Sequence, residues 1–152
     1  MRRNAHTLTE LVVVVLIMGT LAMIAIPRLQ CGAIKQKKLA GAAHQLVGDL
    51  RKTRSLAMRD AATNDDGYRL RLVGASPYTE YLIENADTGE EVSRTNIDPS
   101  IVVTSSPTYR FVFGRLGNMT LGGDSQINLS ADGKSFTLTF VTATGAVLCT
   151  KN

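Results

Sequence analysis

The sequence has no tryptophan, only two histidines and only two cysteines. His6 and His44 stand far apart, and no Cys-x-x-Cys or His-x-x-x-His occurs, which excludes the common zinc and dithiol redox motifs. No phosphate-cradling loop is present either. "GRLGNMTLGG" has the glycines but lacks the Lys-Ser/Thr pair, and it reads as a loop. Asp65 and Asp66 are too few to hold a metal ion by themselves. His44 falls in a helical pattern with no nucleophile motif beside it. These absences leave no catalytic, cofactor-binding or metal residues to name, and the chain reads as a non-enzyme. Helix breakers are scarce in one region: between Gly32 and Gly67 there is no proline, and only Gly41 and Gly48 interrupt.

What the chain does have comes first. From Leu8 to Ile26 the sequence is apolar on every face, and Glu10 is its only charged residue. As a helix this run spans about 28 Å, close to the ~30 Å hydrocarbon thickness of a bilayer. A core helix of a soluble domain seldom stays apolar all round for so long. A cleaved signal peptide has a shorter apolar region and a small-residue cleavage site after it. Here the run ends at "AIPRLQ" and a helical pattern continues beyond. The segment therefore reads as a retained membrane helix. Glu10 is then the anomaly, because an ionisable group within a span costs several kcal/mol, on the order of a buried charge, unless it finds a partner or water.

The N-terminal residues resemble the type IV pilin and type II secretion pseudopilin superfamily. The matching features are a short basic leader "MRRNA", the opening "HTLTEL", the apolar run and Pro27. Two positions depart from the family pattern: Ala5 stands where glycine is usual, and His6 where phenylalanine is usual. The resemblance implies that a prepilin peptidase cuts between Ala5 and His6 and methylates the new amine on His6. It implies that Glu10 pairs with an N-terminal amine as subunits pack into a filament. It also places the leader in the cytoplasm, the span in the inner membrane as a single pass, and the rest in the periplasm, where the flanking charges alone are ambiguous. The C-terminal stretch "FVFGRLGNMTLGGDSQINLSADGKSFTLTFVTATGAVLC" is similar to FimT/GspH-type minor pilins. The partners so implied are prepilin peptidase and other pilin or pseudopilin subunits. Whether the filament is a pilus or a secretion pseudopilus stays open.

After the apolar run the pattern becomes amphipathic. Leu39, Ala43, Leu46, Leu50 and Ala57 share one stripe at spacings of three, four and seven. One helix is expected from about Leu8 to Ala62, with Pro27 as a point of bending and "TNDDG" as its end. The period then shifts to two. About seven short strands follow, mostly antiparallel, with Tyr68, Leu70 and Leu72 on one face and hairpin signals at "NADTG" and "ADG". The fold class is α+β: a long N-terminal helix, transmembrane then amphipathic, packed against a small antiparallel β-rich globular domain. The expected segments are a leader over 1–5, a transmembrane and assembly helix over 6–27, its amphipathic continuation over 28–62 and the β-rich domain over 63–152.

The net charge of +4 raises the question of nucleic acid. The basic surplus sits in residues 28–60, with eight Lys/Arg against two Asp, whereas residues 61–152 hold seven Lys/Arg against ten Asp/Glu. Lipid head groups, acidic faces of neighbouring subunits, or plain solvent suit the basic stretch. Some FimT-type proteins take up DNA through C-terminal arginines. Here "TATGAVLCTKN" offers only Lys151, which weighs against a DNA-uptake receptor but leaves it as the alternative. Cys31 and Cys149 would be in a compartment that permits a disulfide. Pairing with each other, pairing between subunits and remaining as free thiols are all open.

Overall fold

The structure, a computed structural model, describes residues 8–152, except for the side chains of Ala22 and of residues 24–33. The chain forms two compact units that divide between Ile34 and Lys35. Helix α1 runs Leu8–Arg59 and its helical backbone continues through Pro27. The expected end at Ala62 comes slightly early. Asp60 accepts backbone hydrogen bonds from Thr63 and Asn64, which closes the turn after Arg59.

In the second unit nine strands follow the helix: β1 (Tyr68–Val73), β2 (Glu80–Asn85), β3 (Glu91–Asn96), β4 (Val102–Ser106), β5 (Arg110–Phe113), β6 (Met119–Leu121), β7 (Gln126–Ala131), β8 (Lys134–Val141) and β9 (Ala146–Lys151). They build two antiparallel sheets, ordered β3-β2-β1-β5-β6 and β4-β7-β8-β9. The α+β class is as the sequence indicates. "GRLGNMTLGG" is not wholly loop, because β6 forms inside it and pairs Met119 with Phe113.

One core joins the helix to both sheets. Leu39, Ala43, Leu46, Leu50 and Ala57 are all buried, and Thr53 fills the remaining place in the stripe. Thr53 satisfies its hydroxyl by donating to the Asp49 carbonyl one turn back, at 2.7 Å. Tyr68, Leu70 and Leu72 face inward, as the alternation of β1 indicates. Phe111 of β5 and Phe140 of β8 stack with centroids 4.8 Å apart, a direct link between the two sheets.

Turn chemistry fixes the strand ends. Asp132 and Gly133 both take positive φ, the backbone that a two-residue hairpin between β7 and β8 requires. Gly67 precedes β1 at φ 76°, and a Cβ there would stand 2.0 Å from the Phe113 carbonyl oxygen. The buried Asn64 side chain locks this corner. Its amide donates to Gly67 O at 2.7 Å and Asn85 Oδ1 at 2.9 Å, and its Oδ1 accepts from Gly67 N at 2.7 Å.

Candidate functional site

Two surfaces carry the chemistry: the N-terminal part of α1 and the polar face of the domain. On the helix, every described side chain from Leu8 to Leu21 is exposed, with Leu8 at 84% and Met18 at 66%. Covering a Val, Leu, Ile or Met side chain is worth about 1.5–3 kcal/mol. The run as a whole therefore lies on the order of 20 kcal/mol above a covered state if left in water. Soluble monomers rarely keep such a surface bare. Among the described residues, no helix is long and apolar enough to cross a membrane.

Glu10 lies in the first turn of α1 and is exposed. A carboxylate at a helix N-terminus is favoured locally by the macrodipole, by about 0.3–1 kcal/mol at a surface. That is smaller than the expense of a carboxylate in hydrocarbon, so the helix end alone does not account for it. Ala5 and His6, the expected cleavage and methylation residues, lie outside the described residues, as does the Cys31 side chain. Cys149 is an exposed free thiol on β9, held above its ordinary pKa by partial burial.

On the domain, the outward face of the five-stranded sheet carries arginines, and acids answer them. Glu84 of β2 is buried and takes hydrogen bonds from Arg69 Nε and, at 3.1 Å, from Arg71 Nε, both on the adjacent β1. Burial pulls the Glu84 pKa up, but the two guanidinium hydrogen bonds outweigh it and hold the group below the usual carboxylate range. Arg94 bridges Glu80 at 2.9 Å and Glu91 at 2.7 Å. Arg115 reaches Asp65 at 2.8 Å, and Lys38 reaches Asp98 at 2.9 Å. Arg110 instead lies 5.2 Å over the Tyr109 ring. A polyanion would have to compete with these carboxylates for most of the arginines. Sequence reasoning missed Glu84, because its burial depends on which strand lies beside it.

A long N-terminal helix that packs its later turns on antiparallel sheets is the architecture of the pilins and pseudopilins, and this chain has that fold. Among solved structures it is similar to the type IV minor pilin FimU of Pseudomonas aeruginosa in two crystal forms. The TM-scores are 0.60 and 0.61 at 13% and 12% identity, covering 73% and 77% of this chain and 91% and 90% of FimU. It is also similar to the minor pseudopilin EpsH from the type 2 secretion system of Vibrio cholerae. There the TM-score is 0.55 at 10% identity, covering 75% of this chain and 97% of EpsH. No family sequence model matches the chain, and no curated protein sequence matches it.

Proposed function

We propose that the chain is a minor subunit of a type IV pilus or of a type II secretion pseudopilus. The observation that carries this reading is an apolar helix exposed on all sides, in a chain whose domain has the pilin fold. Before assembly, the segment from Leu8 to Ile26 anchors the chain in the inner membrane as a single pass, with its domain in the periplasm. In the filament, the same segment packs among the corresponding helices of neighbouring subunits. Lipid and helix bundle are equally apolar, so the transfer leaves the hydrophobic term nearly unchanged. What drives and registers assembly is packing, together with the one charged group in the run.

That group is Glu10. Prepilin peptidase cuts between Ala5 and His6 and methylates the His6 amine, and the amine of a neighbouring subunit then neutralises the Glu10 carboxylate. Removing the carboxylate strands the amine in a low-dielectric place, which typically costs about 3–5 kcal/mol. Membrane insertion does not suffer, because Glu10→Ala makes the span more apolar. Glu10→Ala and Glu10→Gln are therefore expected to enter the membrane and be cleaved normally but to leave the filament fraction. The ratio of filament-bound to membrane-bound protein tests this in the native cell. Equal ratios for wild type and both variants would show that Glu10 only reaches the interface.

A further inference from the structure

The charges on the outward face of the five-stranded sheet do not balance evenly. Arg94 on β3 bonds two acids, Glu80 and Glu91. On β1 and β5 the ratio is reversed. Arg69 and Arg71 share Glu84, and both bond the same oxygen, Oε1. Among the described residues, no carboxylate lies at ion-pair distance from Arg110. Three arginines thus stand against one carboxylate, which is already bonded twice.

The strand register makes that surplus unfavourable. Arg71 and Arg110 are directly opposite each other across β1 and β5. Next to them, Leu72 N donates to Tyr109 O at 2.9 Å. Leu72 and Tyr109 are therefore a hydrogen-bonded pair, and Arg71 and Arg110 take the alternate position, where side chains stand closer. Like charges directly opposite on a sheet destabilise it. Arg110 lies over the Tyr109 ring, but a cation–π contact at an exposed site is a weak substitute for a carboxylate. Both side chains reach water: Arg71 is 32% exposed, and Arg110 is exposed.

The surroundings select the kind of anion. Val112 follows Arg110 by two residues, shares its face, and pairs with Leu121 of the edge strand β6. Leu121 is 47% exposed. The arginine pair therefore has apolar surface on its β6 side and acids on its β3 side. A nucleic-acid strand laid across this face would meet repulsion on one side and no phosphate contacts on the other. A single carboxylate with apolar neighbours is complemented on both counts.

We propose that the face at Arg71 and Arg110 binds an acidic side chain of a partner protein, a Glu or Asp carboxylate whose apolar neighbours cover Val112 and Leu121. The carboxylate neutralises the opposed arginines, and the apolar flanks give the contact its direction across the sheet. The site lies wholly within the β-rich domain and does not rest on the subunit reading above.

The test uses the full chain in a non-ionic detergent and follows the arginine Nε–H signals by NMR. Two end-blocked peptides are titrated, Ala-Leu-Glu-Leu-Ala and its counterpart with Gln in place of Glu. The Glu peptide is expected to shift Arg71 and Arg110 saturably, and the Gln peptide to bind about tenfold more weakly. Arg110→Gln should weaken the Glu peptide by about the same factor. It should also unfold at the same or a higher temperature at low salt, because it removes one of two opposed like charges. Equal affinity for the two peptides overturns the proposal, as does the lack of any shift or a response spread evenly over all the arginines. A lower unfolding temperature for Arg110→Gln overturns the argument from unmet charge. Inorganic phosphate that shifts Arg71 and Arg110 at lower concentration than the Glu peptide makes this a bare anion site and overturns the assignment to an acidic protein segment.

Discussion

The Tyr81 hydroxyl on β2 donates to Asp49 Oδ2 on the helix at 2.6 Å, the shortest route between the helix and the five-stranded sheet that is a hydrogen bond and not an apolar contact. Tyr81 is almost wholly buried, and burial together with this bond raises its pKa well above the usual phenol value. The phenol is therefore neutral and acts as a donor at any physiological pH. Tyr81→Phe keeps the ring in the core and removes only the donor. It is expected to lower domain stability by about 0.5–1.5 kcal/mol, read as a shifted denaturation midpoint with unchanged slope. A loss above ~3 kcal/mol would mean that the ring itself had moved.

Glu84 governs the acid limb of stability. Its folded-state pKa lies below its unfolded one, so ionised Glu84 stabilises the fold at neutral pH. The contribution is complete above the ordinary Glu value of about 4.3 and fades as pH falls through the folded value. Arg69 and Arg71 are each about one-third exposed or less, with side-chain values of 28% and 32%, so water partly compensates them when the carboxylate is lost. Glu84→Gln is expected to lose about 1–3 kcal/mol at pH 7. The gap from wild type should narrow below about pH 4. Thermal unfolding of both proteins from pH 7 to pH 3 checks this, and a gap that stayed constant would assign the effect to packing.

Processing gives a sharper outcome. Ala5 is small, and cleavage after it would expose His6 as the first residue of the mature chain. N-terminal mass spectrometry of protein from its native cell is expected to find His6 carrying a methylated amine. A chain that still starts at Met1 would remove the amine on which the role of Glu10 depends.

The receptor alternative is tested by DNA binding. Most arginines of the outward sheet face are held by Glu80, Glu84 or Glu91. The detergent-solubilised chain is expected to bind duplex DNA only weakly, without sequence preference and with strong salt dependence. A dissociation constant below about 1 μM at physiological salt would favour the receptor.

Periodicity made much of this legible in advance. The stripe from Leu39 to Ala57 and the inward set Tyr68, Leu70 and Leu72 follow from periods of about 3.6 and 2, which are local properties of the chain. The Asp132-Gly133 turn follows from the φ its residues accept. The division of nine strands into two sheets does not, because β4 pairs with β7 and not with its neighbour β3, a long-range choice that no short window contains. β6 escaped for a related reason: three residues between glycines carry too little pattern to outweigh the turn signals around them. Glu10 and His6 stood out by motif alone. Glu84 did not, since its burial depends on which strand lies beside it.

The stretch of helix from Leu39 to Ala57 also acts as a gauge. Its buried stripe meets the sheets, and Asp49 takes the Tyr81 hydroxyl beside it. Each residue in between sets about 1.5 Å of height and about 100° of rotation. One inserted residue would turn the downstream half of the stripe, Thr53 and Ala57 with it, away from the sheets. Such a chain can vary its surface side chains freely, but it can change the length of this stretch only by refolding its domain.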